Sequence, residues 1–263
     1  MKKILLYSTI TLGLLIGGFG MYKMAFADIY GSSLLGWWTL DSNNITNNIV
    51  DSSGNGNTGH LVGDTSTTTA AGYMGQALSF GTNGQVYVPT ITLTSATKST
   101  VSFWIKPAST INSGSGEKDV MWINDTTPLT TEYFSVFWNG SGGADGKLQF
   151  DQKLAALGDQ TTETTKSSWT GGIWYFITFT WGSSGAIVYV NGVQNNAAAG
   201  NTRSLNNMTF VGAANLTFAQ GHFNGGNGSG FISVMDDVRI YNRNLSAAEV
   251  NTLYYQGIGN HGQ

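Results

Sequence analysis

Asp51, Ser53, Asn55 and Asn57 place an oxygen-bearing side chain at every second position of one short run, with Gly54 and Gly56 between them. Such a loop can wrap a hard cation, because calcium takes several oxygens from a flexible backbone, carbonyls included. It is not an EF-hand, since Val62 stands where that loop carries its bidentate glutamate. A second carboxylate must come from elsewhere, and Asp236 is the candidate. Alternation puts Asp236 in register with Val234, Val238 and Ile240, and a carboxylate among aliphatics needs a cation or several donors. The competing reading of the same residues is an Asx-type turn at Asp51, with Asp236 accepting backbone hydrogen bonds.

Other reactive constellations do not form. Of the glutamates Glu117, Glu132, Glu163 and Glu249, only Glu117 has a carboxylate two residues away, Asp119, and Trp122 stands where a Glu-x-Asp-x-x-Glu glycosidase strand needs its last glutamate, so that strand is missing. His60, His222 and His261 lack metal spacing, and there is neither a G-x-S-x-G elbow nor a phosphate loop. The chain has 12 Lys and Arg against 15 Asp and Glu, a net charge of −3, which argues against a nucleic-acid partner. With no cysteine, disulfides and thiolate chemistry are excluded.

Sugar recognition remains open, because pyranose rings stack on aromatics while Asn, Asp and Gln meet their hydroxyls. Trp122, Tyr133, Trp138, Phe218, His222 and Phe223 flank polar loops. Trp138 with Asn139, and His222 with Asn224, are the expected ligand-binding residues. The alternative is that these aromatics cap the core beneath the loops.

The elements that must carry these residues are strands. Val86 to Val88, Thr100 to Lys106, Tyr133 to Trp138, Trp174 to Trp181, Ala186 to Val190, Asn207 to Val211 and Phe231 to Tyr241 are β-branched and aromatic runs between Gly, Asn, Ser and Asp clusters. Asn191-Gly192 predicts a hairpin turn. Ser246 and Glu249 form a capping box, predicting one or two helical turns with Val250 and Leu253 inward. Lys2, Lys3, the apolar run Ile4 to Met21 and Ala25-Phe26-Ala27 predict an export signal cleaved after Ala27. An uncleaved membrane anchor, with Gly13 and Gly17 as a packing face, is the alternative. The expected organisation is a signal or anchor over 1–27, one domain over 28–257 and a frayed tail over 258–263.

Seven segments occur in an informative order. They are Leu35 to Asp41, Asp51 to Gly59, Gly75 to Phe80, Val101 to Pro107, Trp174-Tyr175, Val188 to Gly192 and Met235 to Ser246. Together they resemble bacterial laminin-G-like jelly-roll domains of the concanavalin A-like lectin/glucanase superfamily. The resemblance implies an all-β fold of two antiparallel sheets, with the first and last strands adjacent. It implies that Asp51 and Asp236 share a structural calcium, and the loop spacing makes Asn55 and Asn57 the further expected oxygen ligands. It also implies an extracellular or cell-surface role in binding or adhesion, with a glycan or a cell-surface protein as partner. A self-assembling structural surface protein is a second reading, and a glycoside hydrolase ranks last.

Overall fold

In a computed structural model of the protein, Val101, Phe103 and Ile105 enter one core while Ser102 and Trp104 point the other way. That period-2 alternation organises the whole molecule. The structure describes residues 29, 31–41, 48–63, 67–92, 98–125, 133–139, 146–154, 158–182, 185–196, 213–219 and 232–258. The expected signal or anchor, the expected strand Asn207 to Val211, and both His222 and Asn224 lie outside them. Among the described residues, no helix is long and apolar enough to cross a membrane.

The strands are β1 (Leu34–Trp38), β2 (Asn48–Ile49), β3 (Gly59–Val62), β4 (Thr68–Ala71), β5 (Gln76–Phe80), β6 (Gln85–Thr92), β7 (Ser99–Pro107) and β8 (Lys118–Asp125). They continue as β9 (Tyr133–Trp138), β10 (Leu148–Leu154), β11 (Gly158–Glu163), β12 (Tyr175–Gly182), β13 (Gly185–Val190), β14 (Val193–Gln194), β15 (Ala213–Phe218) and β16 (Ser233–Tyr241). One helix follows, α1 (Ala247–Ile258). The first sheet runs β14-β13-β12-β7-β16-β5-β4, with β1 also on β16, and the second runs β11-β10-β9-β8-β15-β6-β3-β2. Every strand pair is antiparallel, and β1 and β16 lie side by side as expected. This is an all-β jelly-roll sandwich.

Two apolar clusters fill it. The larger joins the facing sides of the two sheets, with Phe134, Phe150, Phe179 and Trp181 in mutual ring contact. The smaller covers the far side of the first sheet, where Trp104, Phe176 and Tyr241 pack against Val250 and Leu253 of α1. One side of the first sheet therefore faces the second sheet, and part of the other lies under the helix.

The helix is longer than its sequence signal suggested, at 12 residues. Its start is as expected. The Ser246 amide and hydroxyl both donate to Glu249 Oε2 at 2.8 Å, and the Glu249 amide donates to Ser246 Oγ at 3.3 Å. Arg243 binds Glu249 at 2.7 Å and reaches Ser33 Oγ at 3.1 Å, tying the helix start to the residue before β1. Ser246→Ala is expected to cost about 1 kcal/mol, the usual worth of an N-cap, measured by urea unfolding. The Asn191-Gly192 turn also forms where expected, both residues having positive φ (52° and 77°).

Strand β16 departs from simple alternation. Its pairing with β7 shifts between Asp236 and Arg239, and Asp237 has φ 52°. This is a β-bulge with one residue in the left-handed region. Met235, Val238 and Ile240 face the inter-sheet core, whereas Asp236 lies beside Trp104 and Arg239 beside Trp37 on the far side. Asp236 therefore does not sit among Val238 and Ile240 as expected. The extra residue also brings Asp236 and Asp237 to one side of the sheet, where unbroken alternation would have separated them.

Candidate functional site

The Asp51 loop is closed by its own backbone. Asp51 Oδ1 accepts the amides of Trp37 and Ser53, both at 2.9 Å, and Oδ2 accepts that of Asn57 at 2.9 Å. The Asn55 side-chain amide donates to the carbonyls of Leu34 (2.7 Å) and Leu35 (3.2 Å), and that of Asn57 to Leu35 (2.7 Å). The Asn57 carbonyl receives Trp38 Nε1 at 2.9 Å. These contacts lash the loop onto β1, so the geometry is that of the Asx turn.

Asp236 is elsewhere, at the turn that joins β4 to β5. Its Oδ2 accepts the amides of Tyr73 (2.9 Å) and Met74 (3.0 Å), while its buried Oδ1 has no hydrogen-bond partner among the described residues. Burial pushes the Asp236 carboxyl up to about 8, helped by the charges of Asp237 and Asp41 and opposed by the two amides. Asp41, which sequence reasoning passed over, accepts the Gln76 amide at 2.8 Å. Asp236 from β16 and Asp41 from the segment after β1 thus both grip the turn at residues 73–76. A Cβ on Gly75 would lie 2.5 Å from Asp41 Oδ1, and one on Gly72 would lie 2.7 Å from Asp236 Oδ2. Glycine is required for so close an approach.

The raised carboxyl has a sign. The folded protein holds the Asp236 proton more tightly than the unfolded chain, so stability falls as pH climbs from about 4 to about 8 and is flat above. In calcium-free buffer, unfolding midpoints across that range are expected to follow this trend, and Asp236→Asn is expected to flatten it.

The far side of the second sheet has a different character. Val86, Leu216, Met121, Phe134 and Phe150 point into the core, so the residues between them point away. Register then aligns one residue from each of seven strands: His60, Tyr87, Thr217, Trp122, Ser135, Asp151 and Thr161. All are polar or amphipathic. His60, Tyr87, Trp122, Asp151 and Thr161 are half-buried, while Thr217 and Ser135 are 2% and 4% exposed. Tyr87 donates its hydroxyl to Asn215 Oδ1 at 3.1 Å, which leaves the Asn215 amide as a donor. His60 Nδ1 lies 2.9 Å from Asn48 Oδ1. Between the two aromatic residues, the buried Thr217 Oγ1 has no hydrogen-bond partner among the described residues.

A second row runs beside the first, aligning Asp119, Phe137, Gln149 and Glu163. Asn139 donates to Gln149 Oε1 at 3.0 Å, Gln149 donates to Glu163 Oε2 at 3.1 Å, and Lys147 binds Glu163 at 2.5 Å. Asn139 therefore joins this face. Trp138 does not. It is fully buried, with its ring edge-on to Trp169 at 5.6 Å, because adjacent strand residues point to opposite faces. Phe218 is likewise in the core. Trp122, one of the loop-flanking candidates, does lie on the outer face, together with Tyr87 and Phe137.

Two antiparallel sheets packed face to face, with adjoining terminal strands and a helix on one outer side, define the lectin-like jelly-roll class. The chain belongs to the family described as the concanavalin A-like lectin/glucanases superfamily, whose sequence profile matches residues 80–251. No curated protein matches the sequence. Solved structures share the fold at low identity. Domain 4 of AbnA, an extracellular arabinanase of Geobacillus stearothermophilus, solved with arabinotriose, is 18% identical with TM-score 0.60. That match covers 84% of this chain and 98% of the domain. The binding domain of Paraclostridial Mosquitocidal Protein 1 is 19% identical (TM-score 0.61, 88% of this chain). The ligand-binding domain of botulinum neurotoxin serotype D, solved with N-acetylneuraminic acid, is 16% identical (TM-score 0.62, 89% of this chain). This chain spans 53% of each of those two toxin domains.

Proposed function

We propose that this protein is an exported, noncatalytic glycan-binding module whose ligand lies across the outer face of the second sheet. The observation that carries this reading is the seven-residue polar and aromatic row on that face, set against an opposite outer face packed under α1. Trp122 and Tyr87 offer flat apolar surfaces to sugar rings, and Thr217, Asn215, Asp151 and His60 offer donors and acceptors to their hydroxyls. Glu163 is engaged by Lys147 and Gln149, which favours binding over acid catalysis. The solved arabinotriose and N-acetylneuraminic acid complexes are of similarly folded domains, which supports the class of ligand. Export is supported by Lys2, Lys3, the apolar run and Ala25-Phe26-Ala27. A glycan array on the chain from Asp28 tests the reading, with selective hits expected.

We also propose a structural calcium, at Asp41 and Asp236 rather than in the Asp51 loop. Asp51 spends both carboxylate oxygens on backbone amides, and Asn55 and Asn57 donate their side-chain amides to the carbonyls of β1, whereas Asp236 keeps a buried oxygen with no described partner. A carboxylate in that state, with a second carboxylate and glycine backbone at the same turn, suits an oxygen-seeking cation. A bound cation would favour the ionised Asp236 and pin residues 72–76 to β16. Thermal melts with calcium and with chelator test this. Asp41→Ala and Asp236→Ala are expected to abolish the calcium response. Asp51→Ala, which strands three backbone amides, is expected to cost about 2–4 kcal/mol while leaving that response intact. The reverse pattern would return the metal to the Asp51 loop.

A further inference from the structure

One polar group on the outer face of the second sheet is out of keeping with its place. Thr217 points away from the core, between Leu216 and Phe218, which point into it. It is nevertheless only 2% exposed, and its Oγ1 has no hydrogen-bond partner among the described residues. A hydroxyl shut away from water without a partner costs stability. Valine has nearly the same shape, carries no such penalty and suits a strand as well, so folding alone does not account for a threonine here. In register with Thr217 stand Tyr87 on β6 and Trp122 on β8, both half-buried. Next along the same face of β15, about 6.6 Å away, is the half-buried Asn215. Its Oδ1 accepts from Tyr87, and its side-chain nitrogen has no acceptor among the described residues. A covered hydroxyl and an open amide donor, both without partners, thus lie side by side where the two aromatic residues meet β15.

From the glycan-binding reading, on which this step rests, we infer that Thr217 and Asn215 are the specificity-determining residues of the site, and that the ligand is a sugar ring with at least two free hydroxyls on the edge turned toward β15. A sugar hydroxyl both donates and accepts, so one completes Thr217 Oγ1 and another accepts from the Asn215 amide. Uncovering Thr217 takes a rotation of a flanking aromatic side chain, and the rings of Tyr87 and Trp122 then lie against the sugar. Because the bond to Thr217 forms away from water, a ligand without the matching hydroxyl leaves that group unpaired and is rejected. The two aromatic residues supply contact area, and the two polar ones choose the sugar.

Titration calorimetry of the full chain with arabinotriose, xylotriose, mannotriose, cellotriose and sialyllactose, and with the O-methylated form of each, tests this. At least one of the free sugars is expected to bind, and its O-methylated form to bind at least about tenfold more weakly. Thr217→Val, which keeps the shape and removes the hydroxyl, is expected to lose at least about tenfold in affinity while melting no lower than the wild type. Thr217→Ser, which keeps the hydroxyl, is expected to stay within about threefold of the wild type. Asn215→Asp keeps an acceptor for Tyr87, removes the donor, and is expected to weaken binding as Thr217→Val does. Wild-type affinity in Thr217→Val and Asn215→Asp, or equal affinity for the O-methylated sugars, overturns the hydroxyl selection and leaves glycan binding standing. A Thr217→Val protein that melts well below both the wild type and Thr217→Ser gives the hydroxyl a structural role and also overturns the inference. Silence toward every sugar from a folded wild-type protein overturns the glycan-binding reading and this inference with it.

Discussion

Asp237→Ala is expected to be the most destabilising single substitution on β16, costing about 3–5 kcal/mol. Asp237 Oδ1 accepts Trp37 Nε1 at 2.6 Å and pairs with Arg239 at 3.0 Å, and both charged side chains are under 5% exposed. Arg239 also lies over the Trp37 ring at 4.8 Å. Removing the carboxylate leaves a guanidinium buried without its counter-charge, and the penalty is the desolvation of that ion rather than the strength of the pair. The double variant Asp237→Ala, Arg239→Met is therefore expected to recover much of the loss. Denaturant unfolding of the two variants separates these contributions. The contact also joins β1 to β16, so the ends of the domain are expected to loosen first when it is broken.

The second large effect is on binding. Trp122→Ala is expected to weaken glycan affinity by at least about 2 kcal/mol, roughly thirtyfold. The ring sits at the centre of the polar row, with Thr217 on one side and Ser135 on the other. Its outward position predicts a smaller stability loss than truncation of Trp138, which lies wholly in the core. Calorimetry and melting curves on Trp122→Ala and Trp138→Ala distinguish a binding residue from a packing residue. Trp122→Ala is expected to lose affinity while still melting cooperatively, and Trp138→Ala to melt well below it.

Much of the architecture was legible from residue order. Strand runs such as Val101 to Ile105, the Asn191-Gly192 turn and the Ser246–Glu249 box act through neighbours in the chain, and each forms as its local chemistry dictates. The site was less legible, because it depends on register between distant strands. Tyr87 lies between Val86 and Val88, Thr217 between Leu216 and Phe218, and Trp122 between Met121 and Ile123. That alternation could have marked each as outward-facing. Nothing in the sequence says that the three align, since β6, β15 and β8 meet only in the folded sheet. Nearness to loops picks out Trp122 correctly, but it also picks out Trp138 and Phe218, whose places in the alternation point them inward. Asp236 was misplaced for a related reason. Its side was counted through a strand that a bulge at Asp237 interrupts, and an aspartate in the left-handed region leaves no mark that distinguishes it from one in regular β conformation. Asp41 went unnoticed because its partner, the Gln76 amide, is backbone contributed by a turn 35 residues away.

The central claim is that sugars bind the outer face of the second sheet, and a glycan array probed in parallel with the wild-type protein and Trp122→Ala tests it most directly. The account predicts selective hits with the wild type that are lost with the variant. Hits that persist unchanged in Trp122→Ala, or a silent array from well-folded wild-type protein, would contradict it.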